Sequence, residues 1–398
     1  MRALIVIGTR PEAIKMAPVV RALLAIPGRF SRVAVCLSGQ HRELTDEVVR
    51  RFSLPVHHDL NLMKPGQTPQ QVLAACVAGI GGVIAAERPD WVLFHGDTVT
   101  ALATALAAFY ERVPSAHVEA GLRTGTLESP FPEEMHRVVA DRVCSMCFAP
   151  TPLARDCLHR EGIPLDRVLV TGNTVVDAIR MASRIAADAP WPEGVAEAMA
   201  SGKRLVLLTT HRRENFGEPL RNILRAARAL AQRHADCCFV FPAHPNPEVR
   251  RAIEDVLPDG RYVRIVEPLE YGVFTKLLEV AALILTDSGG IQEEAAVLGV
   301  PFLVLRENTE RPEALVEGLG QLVGTDTNRI MTAAESLLRK PPEKLFRENT
   351  PLGDGHAAER IAACLAGETV APWEPPGVAG QESVSSGEGG GQTGLKNG

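Results

Sequence analysis

The feature that most constrains this chain is a recurring unit: a short, nearly continuous apolar run, a turn, then a longer helical pattern. One series comprises Leu4–Ile7, Val33–Leu37, Trp91–Phe94, Ala116–Val118 and Val168–Val170. A second comprises Leu205–Leu208, Phe239–Phe241, Tyr262–Val266, Leu283–Leu285 and Phe302–Leu305. Strands with no polar alternation have no solvent face, so they belong in parallel sheets covered by helices on both sides. At 398 residues the chain is also longer than one hydrophobic core usually serves. The expected fold class is therefore α/β, with one domain over 1–187, a linker region over 188–203 that contains APWPEG, and a second domain over 204–354. A helix within 355–369 is expected to pack back on the first domain. The segment 370–398 is too poor in apolar residues to offset its ordering entropy and is expected to be a disordered tail. No internal sequence repeat is visible, although the two halves read as one architecture used twice.

Carboxylates outnumber Lys and Arg by 48 to 42, for a formal charge of −6. That balance offers no surface for nucleic acid or membrane, so cations serving an anionic ligand must be local. Of the eight cysteines, Cys144 and Cys147 have CxxC spacing but no second pair follows, and they flank Met146 and Phe148. Buried thiols are expected there, and no metal site. The N-terminus reads as a strand and a turn where a signal peptide would carry a longer apolar segment, and a cytoplasmic protein is expected.

In open parallel sheets, ligands bind beyond the carboxyl ends of the strands. After the first run come Gly8-Thr9-Arg10-Pro11-Glu12 and Lys15, two cations near a helix N-terminus. Neither a GxGxxG fingerprint nor a Walker A loop is present, which argues against NAD enzymes and P-loop kinases. His95-Gly96-Asp97-Thr98 follows the third run and Glu119-Ala120-Gly121 the fourth, with Pro130-Phe131-Pro132-Glu133 shortly after. Asp97, Glu119 and Glu133 thus share one predicted layer. Read singly, Asp97 serves equally well as a helix cap, Glu133 as a first-turn carboxylate, and Arg10 and Lys15 as solvated helix residues. In the second half, His211 follows Leu205–Leu208, and His244 follows Phe239–Phe241 in a proline-stiffened loop. Ser288-Gly289-Gly290 follows Leu283–Leu285; its open backbone N–H groups suit a pyrophosphate and Glu294 could accept from ribose hydroxyls, although such a segment also serves simply as a tight turn.

Together, GTRPEAIKMAP, SGQHRE, HGDT, HVEAGLRTG, SPFPEE, TGNTVVDA, THRREN, LTDSGGIQEEA and TERPEA resemble the non-hydrolysing UDP-N-acetylglucosamine 2-epimerases. The resemblance runs from Met1 to about Leu365. It implies a GT-B-like fold, two Rossmann-type domains with the active site in the cleft between them. It also implies interconversion of UDP-GlcNAc and UDP-ManNAc through a 2-acetamidoglucal, without cofactor or metal, by a homodimer. Matched motif to motif, Asp97, Glu119, Glu133 and His211 fall on the family's catalytic positions. Arg10, Lys15, Phe274, Ser288, Gly289, Gly290, Glu294 and Arg311 fall on its substrate-binding positions. Gln40, His41, Gln67, Arg212 and His244 resemble parts of a second UDP-GlcNAc site through which some bacterial members are activated. Where those members carry Arg-Gln, this chain has Gly66-Gln67, and Pro245 replaces a leucine; a lost guanidinium removes a bidentate phosphate contact, so weakened activation is expected. The competing readings are a 2-epimerase of a related UDP-sugar such as a diacetamido-uronic acid, a hydrolysing epimerase, a retaining GT-B glycosyltransferase, and a non-catalytic nucleotide-sugar sensor.

Overall fold

The computed structural model describes residues 1–26, 28–39, 42–64, 66–128, 130–258, 260–309, 311–315, 319–340 and 350–376, with the side chains of 42–45 and 312 outside the description. The first half contributes strands β1 (Arg2–Ile7), β2 (Arg32–Leu37), β3 (Val56–Asp59), β4 (Trp91–His95), β5 (Ser115–Val118), β6 (Met146–Ala149) and β7 (Val168–Val170). The second contributes β8 (Arg204–Thr209), β9 (Cys237–Pro242), β10 (Val263–Val266), β11 (Ala281–Thr286), β12 (Phe302–Val304) and β13 (Gly320–Leu322). They form two sheets, ordered β3-β2-β1-β4-β5-β6-β7 and β10-β9-β8-β11-β12-β13, with every pairing parallel. Both sheets share the doubly wound order, in which the chain reverses direction between the first and fourth strands. Crevices therefore open after β1 and β4, and after β8 and β11.

The unbroken apolar runs are explained by burial on two faces. Along β1, Ala3, Ile5 and Ile7 join one core cluster while Leu4 and Val6 join another on the opposite face. In β8, Val206 and Leu208 face one cluster, and Leu205 and Leu207 the other. Each such side chain, taken from water, contributes about 1.5–3 kcal/mol to the fold. The helix Pro69–Glu87, the described helix long and apolar enough to cross a membrane, lays Val72, Cys76, Ile80, Val83 and Ile84 into the cluster beneath β1.

Three strands fall outside the apolar runs. β3 and β13 lie at sheet edges, where VHHD is largely exposed and GQL partly so; an edge strand need not be apolar throughout. β6 is interior but only four residues long, MCFA. Cys147 within it and Cys144 just before it are fully buried thiols with Sγ atoms 3.4 Å apart, in a cluster with Phe94.

The helix Thr174–Ala186 joins the two halves. Its Ala178 and Ala182 pack in the first domain's core, whereas Val175, Val176 and Ile179 pack with Leu205, Leu277 and Ala295 of the second. The segment 188–203 is more than a linker: it holds a short helix, Val195–Ala200, and Trp191 lies under the Lys276 ammonium at 4.7 Å. The helix Ala357–Leu365 places Ala358, Ile361, Ala362 and Leu365 in the first domain's core. The ordered chain continues beyond 370. Trp373 is 3% exposed and its N–H donates to the Val170 carbonyl at 2.8 Å, because one large aromatic buries enough surface to anchor that stretch. Residues 377–398 of the expected tail lie outside the described residues.

Candidate active site

At the end of β1, a Cβ on Gly8 would collide with the Thr100 side chain, so the chain can turn here only on glycine. Glu12 folds back and accepts from the Gly8 N–H at 2.6 Å and the Thr9 hydroxyl at 3.1 Å. Burial outweighs these bonds and pushes its carboxyl up to about 7. Lys15 is not a solvated helix residue: it is 6% exposed. Its ammonium donates to Glu119, and at 2.8 Å to Glu293 of the second domain. Burial alone would lower its pKa; the two carboxylates outweigh that and raise it.

Thr98, not Asp97, caps the helix Val99–Tyr110, its hydroxyl accepting from the Ala101 N–H at 3.2 Å. The Asp97 carboxylate is left to pair with Arg137. Burial pushes Asp97 up, but Arg137 and Arg311 hold it below the usual carboxylate range. Glu119, just past β5, adopts φ +67°, a left-handed conformation costing on the order of 1–3 kcal/mol for a side chain of this kind. The surroundings impose it. Arg137 donates to the Glu119 carbonyl at 2.6 Å, the Ala120 N–H to Phe148 at 3.1 Å, and the Gly121 N–H to Asp141 at 3.1 Å. The Glu119 carboxylate receives Lys15 and, at 3.1 Å, the Asn173 amide. His95 lies behind it, Nε2 at 3.5 Å. Burial opposes ionisation of Glu119, yet Lys15, His95 and Arg137 hold it well below the usual range.

His117 braces the two loops. Its Nδ1 is 2.6 Å from Asp141 and its Nε2 2.7 Å from the Gly96 carbonyl, while Arg123 reaches Asp141 at 2.8 Å. Glu133 opens the helix Glu133–Val143, four residues before Arg137. Half-buried, it has no hydrogen-bond or ion-pair partner among the described residues.

The second wall is organised by Asp287, fully buried after β11. It accepts from the Thr210 hydroxyl at 2.7 Å, the His211 and Arg212 N–H groups at 3.1 Å and the Asn215 amide at 3.0 Å. The His211 ring is thereby set into the cleft, Nδ1 at 3.5 Å from Asp287 and stacked on His244 with centroids 6.0 Å apart. Desolvation lowers the His211 pKa; Asp287 opposes that, and Arg212 and His244 add to it. The glycine cradle is smaller than its sequence suggests. The Ser288 N–H is taken by the Thr286 hydroxyl at 3.0 Å, because Thr286 ends its strand with Oγ1 inward. Gly289 and Gly290 begin the helix Gly289–Leu298, where N–H groups have no partner within the helix. A Cβ on Gly289 would lie 2.5 Å from Arg311 Nη1, so the guanidinium rests against that backbone. It also donates to Glu293 at 2.7 Å.

Glu294 accepts from the Tyr271 hydroxyl at 3.3 Å, and burial raises its carboxyl to about 7 against the pull of Arg10. Arg10 lies 5.7 Å over the Tyr271 ring. Glu47 of the first domain accepts the Tyr271 N–H at 3.1 Å, capping the helix Tyr271–Val280 from across the cleft. Phe274, one turn along, is half-buried against the second core. Of the remaining candidates, Gln40 and His41 lie outside the described residues. Gln67 is tied into its own turn, accepting from the Lys64 N–H at 2.5 Å and donating to the Leu62 carbonyl at 3.2 Å. Arg212 and His244 flank His211.

His95, Arg137, Asn173, Tyr271, Asp287 and Glu293 escaped the sequence reading. Each contributes through a partner distant in the chain; His95, Asn173, Asp287 and Glu293 stand inside the quoted motifs and Arg137 one helical turn from Glu133, but their local sequence does not show what they pair with.

Two domains of matching strand order, facing each other across a cleft lined by carboxylates, cations and helix N-termini, define a GT-B-like protein. The sequence profile of the UDP-N-acetylglucosamine 2-epimerase family matches residues 28–366, and the chain belongs to that family. It is 44% identical to the UDP-N-acetylglucosamine 2-epimerase of Escherichia coli K12 over 378 aligned residues, covering 92% of this chain and 98% of the relative. The crystal structure of UDP-GlcNAc 2-epimerase from Neisseria meningitidis bound to UDP-GlcNAc superposes with a TM-score of 0.84 at 41% identity, covering 92% of this chain and 100% of that one. The Methanocaldococcus jannaschii UDP-GlcNAc 2-epimerase in complex with UDP-GlcNAc and UDP gives a TM-score of 0.77 at 35% identity, covering 92% and 99%.

Proposed function

We propose that this chain is a non-hydrolysing UDP-N-acetylglucosamine 2-epimerase interconverting UDP-GlcNAc and UDP-ManNAc. The observation that carries the reading is the Lys15–Glu293 bond, which brings a first wall of carboxylates up to a second wall that has His211, Arg311 and open glycine N–H groups. The reaction requires such a pairing. In elimination the C2–H proton passes to a base, its electrons form the C1–C2 double bond, and the C1–O electrons leave with UDP. Re-addition reverses these movements with the proton delivered to the other face.

Protonating Asp97 or Glu119 breaks an ion pair with Arg137 or Lys15. Among the described residues Glu133 has no such partner, so it is our choice for carrying a proton on one face of the ring, with Glu119 serving the other. His211 stands at the phosphate end. A departing diphosphate brings negative charge beside it, favouring the imidazolium that stabilises the leaving group. Arg10, Lys15, Arg311 and the Gly289 and Gly290 N–H groups hold the diphosphate, Glu294 the ribose and Phe274 the uracil. Proton NMR in deuterated water tests the reading. Deuterium entering C2 while UDP-ManNAc grows supports it; accumulation of free UDP and ManNAc establishes the hydrolysing reaction instead. No turnover with UDP-GlcNAc but turnover with a diacetamido-uronic acid analogue assigns the related substrate.

We infer weakened activation by a second UDP-GlcNAc, since Gly66 supplies no guanidinium and Gln67 is held in its own turn; a strongly sigmoidal rate curve overturns this. A second copy of the chain is the expected partner. Ala74, Ala78, Gly82 and Ala85 form an exposed small-residue face on the helix Pro69–Glu87, and the helix Val99–Tyr110 packed against it ends in Phe109 and Tyr110, which are 64% and 73% exposed. Sedimentation equilibrium is expected to return a dimer. We assign the protein to the cytoplasm, where the close Cys144 and Cys147 thiols stay reduced.

A further inference from the structure

Carboxylates and cations alternate in a line across the cleft: Glu119, Lys15, Glu293, Arg311. One Glu293 oxygen is 2.8 Å from the Lys15 ammonium and the other accepts from Arg311 Nε at 2.7 Å. The side chains of Lys15, Glu119 and Glu293 are 7%, 4% and 2% exposed, and that of Arg311 17%, so salt and water screen these charges little. Glu293 sits one helical turn beyond Gly289. From there it pins the Arg311 guanidinium against the helix N-terminus, at the place where a Gly289 Cβ would stand. Its second oxygen fixes the ammonium that arrives from the opposite domain.

We propose that Glu293 is a positioning residue that sets Lys15 and Arg311 as a pair around the substrate's diphosphate and links the charge of that diphosphate to Glu119. The inference rests on the UDP-sugar reading above. Without ligand, two carboxylates and two cations balance. A diphosphate draws both cations, and because they share one carboxylate, neither can move without loosening the other's hold. When the C1–O bond breaks, the leaving phosphate gains negative charge and attracts Lys15 more strongly. Lys15 then withdraws from Glu119, whose proton affinity rises at the step that exchanges the C2 proton. Glu293 itself touches neither sugar nor phosphate in this scheme. The charged groups around it are Lys15 from the helix Arg10–Leu24, Arg311 from the segment after β12, Glu294 beside it, and Glu119 and Asp97 one pair further away.

The test is Glu293→Gln, which removes the charge and keeps the shape. Couplings of this kind are worth about 5- to 150-fold. UDP, followed by calorimetry, is expected to bind about tenfold tighter, since the cations no longer share a carboxylate. The kcat is expected to fall by about 30-fold or more. The acid limb of kcat is expected to move to lower pH, because Lys15 now pairs with Glu119 alone. Glu293→Asp, with its charge on a shorter arm, is expected to restore UDP affinity and only part of kcat. Unchanged or weaker UDP binding by Glu293→Gln with an unmoved acid limb overturns the proposal, as does a parallel loss of Tm and affinity in both variants, which marks a purely structural brace. If the wild-type chain binds UDP but does not epimerise, the catalytic reading fails, while the affinities of the two variants still decide the role of Glu293.

Discussion

After β1, β4 and β5, the first sheet fills the cleft with side-chain charge: Lys15, Asp97 and Glu119, each tied to an opposite charge, with Arg137 backing Asp97 and with His95 and Asn173 backing Glu119. After β8 and β11, the second sheet offers backbone N–H groups at Gly289 and Gly290, the His211 ring, the Glu293 carboxylate shared by Lys15 and Arg311, and the Glu294 carboxyl, raised to about 7. The strand orders are the same, so topology does not account for the contrast. It follows from what each wall must handle. In the proposed reaction a diphosphate is anionic from the start and gains charge as UDP leaves, which suits fixed dipoles and cations. A proton leaving carbon needs carboxylates whose ionisation is controlled by neighbours.

Three substitutions would break or sharpen that contrast. The largest effect is expected from Glu119→Gln: kcat falls about 10³-fold in steady-state assays, while UDP affinity by calorimetry stays within a few-fold. A comparable loss of UDP binding would erase the division between the walls. Next is Gly289→Ala, whose methyl meets the Arg311 guanidinium at 2.5 Å. It is expected to weaken UDP binding by about tenfold, the scale of one displaced charge-assisted contact, and to change C2 deuterium exchange at saturating substrate much less.

The smallest expected effect is that of Glu294→Gln. The folded chain holds this carboxyl at about 7, above its value of about 4.3 when unfolded. Below pH 4 both states are protonated and the wild-type residue carries no penalty. Between about pH 4 and 7 the unfolded chain ionises first, so the wild type loses stability as pH rises, and the loss levels off above 7. The glutamine variant therefore gains Tm, by a few degrees at pH 8 and none at pH 4, as thermal scans would read. It is expected at the same time to bind UDP a few-fold less tightly. A Tm gain that is independent of pH would remove burial of the ionised carboxylate as the cause.

Much of the fold is legible in the residues. Val, Ile and Leu runs such as Leu4–Ile7 and Leu205–Leu208 have no polar face, and only a doubly covered parallel strand accommodates them. β3 and β13 escaped because edge strands are not required to be apolar. Site positions at strand ends follow from the same logic, which is why Asp97, Glu119, His211 and Gly289 stand out. Their partners do not. Nothing near Lys15 in the chain points to Glu293, 278 residues away, and nothing near Ser288 announces that Thr286 occupies its N–H.

By itself, then, the sequence determined the elements, their parallel pairing and the places where ligand chemistry meets the chain, because these depend on local pattern and on the handedness of crossovers. Tertiary structure alone decided which charges face each other. Asp97 is bound by Arg137, Lys15 spans the cleft between Glu119 and Glu293, and the helix Thr174–Ala186 belongs to both cores. Electrostatic control of this kind acts over a few ångströms through a water-poor interior, and separation along the chain carries no record of such distances.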